Sequence, residues 1–173
     1  MEKHKEIKLV LKKIIQDHLH FSCSETTFTL LNNKEDKEVL NDMSTRRNLI
    51  FFIKNNESHN AFLYMKDFLS CEDELFVKLA KLSFIDFISN DKVQEGIEFA
   101  KKYFTNLSDK PLLSLVGYEK SSCEEFKKIS ESVNREEIMS RVNSYVFKKY
   151  TSRGESLLHS TIAYYNTLQN NSE

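Results

Sequence analysis

Between Lys5 and His20, the residues Ile7, Leu11, Ile14, Ile15 and Leu19 recur at three- and four-residue steps. That spacing lays a single apolar stripe along a helix. After the polar break Ser22-Cys23-Ser24, a short second helix carries Phe28 and Leu31, and Asn32 to Asp36 forms a polar linker. A third helix is predicted from Lys37 to Asn55, with Val39, Leu40, Met43, Leu49, Ile50 and Ile53 as core candidates. Asn55-Asn56 is its stop, because Asn enters the left-handed conformation more readily than most residues. Glu57 to Leu69 forms the next helix, through Ala61, Phe62 and Met65.

Asp73 to Ile88 is apolar on almost every side, which predicts a helix enclosed by neighbours and therefore the spine of the domain. Ser70-Cys71-Glu72-Asp73 opens it, and Asn90 is expected to cap the helix of Val93, Ile97, Phe99, Ala100, Tyr103 and Phe104. Leu107 to Pro111 reads as a loop, and Leu112 to Val116 as a short helix closed by Gly117. Cap signals follow at Ser122-Cys123-Glu124-Glu125, Asn134-Arg135-Glu136-Glu137 and Ser152-Arg153-Gly154-Glu155. The last of these opens a helix carrying Leu157, Leu158, Ile162 and Tyr165. The expected fold class is all-α, with about nine to ten short antiparallel helices.

Composition supports this picture. Three Gly and one Pro in 173 residues are few for folds built on tight turns or strand-to-loop sites. With 40% apolar residues the chain can bury a core. Its net charge of −1 makes nucleic acid an unexpected partner, since duplex binding calls for a basic excess. The basic pairs Lys12-Lys13, Arg46-Arg47, Lys101-Lys102, Lys127-Lys128 and Lys148-Lys149 sit near acidic residues and read as solvated helix faces. No apolar run reaches the ~18 residues of a membrane span, and the charged start Met1-Glu2-Lys3-His4-Lys5-Glu6 suggests no secretion signal. Cys23, Cys71 and Cys123 are widely spaced without a C-x-x-C pair, as in reduced cytosolic or nuclear proteins.

Candidate chemistry is sparse. His18, His20 and Cys23 have the residue types of a metal site, but an i, i+2 pair on a helix points to different faces, so structural roles are expected. His59 and His159 stand alone, and the three glycines lie too far apart for a phosphate loop. The chain is therefore expected to be no enzyme, and to have no catalytic residue, metal ligand, cofactor or small-molecule substrate. A generic helical-repeat module would need a period near 34 residues, which is not seen. A small helical hydrolase or transferase would need converging acid, base and nucleophile groups. The first helix bears a strong stripe yet is short and set off by a linker, so a second copy is an economical partner for it.

Three blocks carry a family resemblance. Leu11 to Leu31 resembles a LisH motif, with Ile14-Ile15 followed by His18-Leu19; Cys23 stands where a Gly is usual, and Phe28 where a small residue is usual. Arg46 to Phe104 resembles a CTLH motif. Asn56 takes the place of the usual Gly in its first turn, and Glu95-Gly96-Ile97-Glu98-Phe99-Ala100 matches the opening of a later helix. Leu112-Leu113-Ser114-Leu115-Val116-Gly117-Tyr118 and Val142-Asn143 resemble the opening and a late helix of a CRA region.

The order is that of the LisH–CTLH–CRA family, with segments at 7–33, 37–104 and 105–170. The resemblance implies a helical hairpin followed by a helical array. It further implies a small non-catalytic scaffold subunit of a Gid/CTLH-type E3 ubiquitin ligase, cytoplasmic and nuclear. Such a subunit would bind sister LisH–CTLH–CRA subunits, RING-type subunits among them, as a homo- or heterodimer, with no nucleic acid or membrane partner. The self-association or partner face it points to is Leu11, Ile14, Ile15, His18, Leu19, Leu158, Ile162 and Tyr165.

Overall fold

The computed structural model describes residues 2–32, 36–104, 110–117 and 124–170, and these are all-α. The helices are α1 (Glu2–Phe21), α2 (Glu25–Asn32), α3 (Lys37–Lys54), α4 (Ser58–Met65) and α5 (Glu74–Ser89). Then come α6 (Val93–Tyr103), α7 (Lys110–Leu113) with a 3-10 turn (Ser114–Gly117), α8 (Glu124–Glu131), α9 (Arg135–Thr151) and α10 (Leu157–Asn170). They form two compact units, one from Met1–Asn48 with Asn143–Glu173, the other from Leu49–Val142. This grouping cuts across the order of the three segments along the chain, because α3 and α9 each give residues to both units.

The first unit is organised by a buried polar network. Arg46 on α3 is wholly enclosed, together with Asp42 one turn earlier. Its guanidinium donates to Asp42 Oδ2 at 2.8 and 2.9 Å, to the His20 carbonyl at 2.5 Å, and to the Phe21 carbonyl and Asn143 Oδ1 at 2.8 Å. His20 Nε2 lies 2.6 Å from Asp42 Oδ2 on the other side. The Phe147 ring covers the assembly, 5.1 Å from Arg46 and 5.1 Å from each of the His20 and Phe21 rings. One side chain thus neutralises a buried carboxylate and satisfies orphan carbonyls at the end of α1.

Sequence alone placed Arg46 with Arg47 on a solvated face. The structure corrects this for Arg46 only: Arg47 is exposed and pairs with Glu25 at 2.6 Å, and the other four basic pairs are exposed as expected.

The second unit is built around α5, which packs on α4 and α6. Leu75, Phe76, Leu79, Ala80, Leu82, Phe84, Ile85 and Ile88 are buried, as the all-round apolar pattern predicts. Phe62 of α4 sits in an aromatic cluster, 5.0 Å from Phe76, 5.0 Å from Phe99 and 4.8 Å from Tyr103. An Asp–Arg pair organises polar groups here too. Asp86 is buried on α5 and accepts from the Ser58 amide at 2.9 Å, supplying the cap that Glu57 does not give to α4. Arg135 donates to Asp86 at 2.6 Å and also to the Ile53 carbonyl near the end of α3.

Helix ends explain the scarcity of glycine. Cys23, Asn56, Asp91 and Ser152 have φ of 56°, 59°, 63° and 60°, each just after a helix. Asn56 is the predicted stop, and Cys23 adopts the conformation that favours the Gly usual at that place. Asp73 caps α5, accepting from the Leu75 amide at 2.8 Å, and Asn134 accepts from the Glu137 amide at 3.1 Å as expected.

Two expected caps move. Asn90 closes α5 and donates to the Asn56 carbonyl at 2.8 Å, so it does not open α6. Ser152 ends α9, and α10 begins at Leu157 after Ser156. The Ser122-Cys123 cap and most of the 107–111 loop lie outside the described residues.

Gly96 is where α6 meets α5. A Cβ there would stand 3.1 Å from Ile88 Cδ1 and 3.2 Å from Phe87 Cβ. Those contacts are tight enough for a methyl group to require small shifts, and a larger side chain would require larger ones.

Two predictions follow from these contacts. Arg46→Ala should cost about 3–5 kcal/mol in urea denaturation, by stranding Asp42, whereas Arg47→Ala should cost about 1 kcal/mol or less. Gly96→Ala should stay within about 1 kcal/mol of wild type, since helix propensity offsets crowding. Gly96→Leu should lose about 1–3 kcal/mol through overpacking.

Candidate interaction surface

All eight residues of the predicted face lie in the first unit, on α1 and α10, and these two helices pack on each other. Ile14, His18, Leu19 and Leu158 are partly covered. Leu11, Ile15, Ile162 and Tyr165 remain 52, 50, 50 and 58% exposed. The stripe of α1 is therefore not consumed by its own unit. Ile7, Leu9 and Val10 on α1 and Tyr164 on α10 extend the exposed apolar surface beyond the predicted set.

Polar contacts fasten the α1–α10 seam. Asp17 Oδ2 accepts from the Leu157 amide at 2.6 Å, acting from α1 as a cap for α10 and favouring the positive end of its dipole. Asp17 Oδ1 accepts from Arg153. Ser156 Oγ lies 3.3 Å from His18 Nδ1 and 3.0 Å from His159 Nδ1. Sequence reasoning missed Asp17, Arg153 and Ser156. Ser156 could have been found, as a serine directly before the apolar pair Leu157-Leu158 is an N-cap signal. Asp17 could not, because its partners lie about 140 positions away.

A Ser–His contact can suggest a nucleophile and its base. Ser156, however, is fully buried, so its hydroxyl joins two helices rather than meeting a substrate. His20 is likewise structural, held by Asp42. In the second unit, His59 lines a hollow of about 420 Å³ with Asn55, Glu57, Asn60, Phe87, Asn90 and Lys92. Burial, and then the charge of Lys92, push the His59 pKa down. The ring rests on Phe87 at 4.8 Å. A second hollow of about 390 Å³ has Leu112, Ile129 and Val133 in its wall and Lys78, Lys81 and Lys128 among its polar residues.

On the surface between α5 and α9, Lys78 bridges Glu74 at 2.8 Å and Glu137 at 2.6 Å, and Arg141 joins Glu74 at 3.0 Å. Hydrogen bonds from these cations hold both glutamates below the ordinary carboxylate range, and Glu137 and Glu74 raise Lys78. The cluster is structural, joining two helices of one unit. Among the described residues, no group of three or more His, Cys, Asp or Glu is placed to hold a metal ion. No helix among them is long and apolar enough to cross a membrane.

Cys23 follows α1 and is half-buried, and burial pushes its thiol pKa up despite the lowering effect of Arg46. Cys71 is exposed.

Residues 6–171 match the model of the CTLH/CRA C-terminal to LisH motif domain. No curated protein and no solved structure matches the chain.

The thiol environments have a direct readout. Iodoacetamide at neutral pH should alkylate Cys71 at least roughly tenfold faster than Cys23, resolved by peptide mass spectrometry. Equal rates would contradict the enclosed, proton-retaining site described for Cys23.

Proposed function

The chain belongs to the CTLH/CRA C-terminal to LisH motif family, and from that premise we propose that it is a non-catalytic scaffold subunit of a Gid/CTLH-type E3 ubiquitin ligase. Domains of this family mediate protein–protein interactions. The finer reading places the chain in the cytoplasm and nucleus, bridging RING-type subunits and a substrate-receptor module through sister LisH–CTLH–CRA subunits. It assigns the LisH-like motif to 7–33, the CTLH-like segment to 37–104 and the CRA-like segment to 105–170.

One observation carries the reading: Leu11 and Ile15 on α1, and Ile162 and Tyr165 on α10, stay half or more exposed. With about half of each side chain still in water, completing its burial gains roughly half of the full transfer energy, about 1 kcal/mol each. A partner helix pair recovers that energy, and a related or identical chain brings the same stripe. The contact of Arg46 with Asn143 adds support, because it joins the start of the CTLH-like block to the Val-Asn pair of the CRA-like helix.

Purification of the protein from its native cells tests the assignment. A RING-bearing LisH–CTLH–CRA partner should co-elute, with ubiquitin transfer in the eluate. A monomer without that partner would overturn it. Ile15→Asp tests the face: a carboxylate buried at the seam should weaken association by about 2–3 kcal/mol, roughly one to two orders of magnitude in Kd. Unchanged oligomeric mass in light scattering would remove α1 from the interface.

A further inference from the structure

Between Glu6 and Lys13 every residue of α1 is exposed, and between Thr161 and Thr167 so is every residue of α10. The two helices pack on each other within the first unit, so they offer a two-helix face that one more helix would close. Its apolar part is Ile7, Leu11 and Ile15 on α1 with Ile162 and Tyr165 on α10. Charge decides among the occupants open to such a face.

Lys8 and Lys12 lie one turn apart, three residues before Leu11 and Ile15 respectively, and so line one flank of the stripe. The positions three and four residues to either side of Lys8 hold His4, Lys5, Leu11 and Lys12. Those around Lys12 hold Lys8, Leu9, Ile15 and Gln16. Neither lysine therefore has a carboxylate at pairing distance within its own helix. Glu6 and Lys13 share a row two turns apart and offset each other. Asp17 is engaged by Arg153 and the Leu157 amide.

The second helix does not redress the balance, because α10 contains no Lys, Arg, Asp or Glu. Glu155, just before it, is exposed and accepts from Ser160 Oγ at 2.9 Å. The exposed stretches of α1 and α10 thus set three lysines against one glutamate, an excess of two positive charges.

A second copy cannot neutralise that excess. In a two-fold pair both partners present the same patch. Lys8 and Lys12 would meet their own copies, the balanced row of Glu6 and Lys13, or the uncharged α10. An anionic membrane is also a poor match. Recognition of acidic lipid takes clusters of about four to eight basic residues, and this flank has only Lys8 and Lys12.

We propose that the α1–α10 face takes an amphipathic helix of a different chain, one with carboxylates flanking its apolar stripe. The apolar side of that helix covers Leu11, Ile15, Ile162 and Tyr165, and its acidic flank lies along Lys8 and Lys12. The charges select the partner and speed encounter, while burial of the stripe supplies the affinity. The proposal rests on reading α1 and α10 as the docking face of a scaffold, and it narrows the partner from any related chain to an acidic one.

Two synthetic helices of three heptads test it, both with leucine at a and d, one with glutamate and the other with lysine at e and g. Each is labelled and titrated with the full chain by fluorescence anisotropy. At about 0.05 M salt the glutamate helix should bind at least about tenfold more tightly, and at about 0.5 M most of that advantage should be screened away. The Lys8→Glu/Lys12→Glu chain should reverse the order; both positions are exposed and both residue types favour helix, so the fold should hold. Lys127→Glu/Lys128→Glu, in the second unit, should leave the order unchanged. Ile15→Asp should weaken both helices together.

Equal binding of the two helices by wild type, or preference for the lysine helix, would overturn the proposal. Failure to bind either, or binding that Ile15→Asp leaves intact, would remove the docking face and the proposal with it. A wild-type dimer in light scattering that the glutamate helix cannot displace would overturn it in favour of a second copy. Sedimentation with phosphatidylserine vesicles, lost in the double lysine variant, would do so in favour of a membrane. The scaffold assignment is read separately, by capture of a RING-bearing partner with the wild-type chain. A captured partner with indifference to charge sinks only this proposal, and a glutamate preference without that partner sinks only the assignment.

Discussion

Arg46 is the residue on which the first unit depends. A guanidinium in a dry interior is tolerable only when its charge is matched and its donors are spent. Here Asp42 supplies the charge, while the His20 and Phe21 carbonyls and Asn143 use the donors. Because those acceptors come from α1, α3 and α9, one side chain fixes where three helices meet. The match is not complete. Among the described residues, Asp42 Oδ1 is buried without a hydrogen-bond partner, a desolvation cost that the rest of the network must offset. An apolar replacement of similar volume could fill the space, but it could not tie off the end of α1.

The second unit uses the same chemistry in another arrangement. Asp86 takes over the N-terminal cap of α4, and Arg135 reaches both Asp86 and the carbonyl of Ile53. Short helices make this necessary. Each end leaves several backbone groups without an intrahelical partner, and a chain of many short helices has many ends. With three glycines, the usual left-handed terminator is scarce, so Cys23, Asn56, Asp91 and Ser152 accept positive φ and distant side chains finish the caps. Asn56 and Asp91 enter this conformation more readily than most residues, whereas at Cys23 and Ser152 it costs roughly 1–2 kcal/mol that the surrounding packing must offset.

How far the sequence reveals this depends on the range of each interaction. Periodicity located the helices and identified α5 as the enclosed spine, because apolar spacing acts within a few residues. Asn56, Asp73 and Asn134 were legible for the same reason. Arg46 was not, since an acid at i and a base at i+4 look identical on a solvated face and in a buried clip. The difference lies in carbonyls 25 residues away and in Asn143, 97 residues away. Asn90 and Ser152 were misplaced by one element, as the same residue types close one helix and open the next. On the interaction surface, the stripe of α1 was visible, but its exposure beside α10 required the fold, and so did the meeting of His18 with Ser156.

These constraints converge on α1. Its last turn is held firmly: His20 and Phe21 through Arg46, Asp17 through Leu157 and Arg153, His18 through Ser156. Toward its beginning the support thins, and Ile7, Leu9, Val10 and Leu11 are more than half exposed. A helix anchored at one end and apolar along its outer length presents a preformed surface, so a partner need not order it first. On the proposed scaffold role, the anchor would lower the entropy cost of docking while the exposed stripe would provide the gain. In the same role, a change that weakens the anchor at Arg46 would act on docking from outside the candidate face.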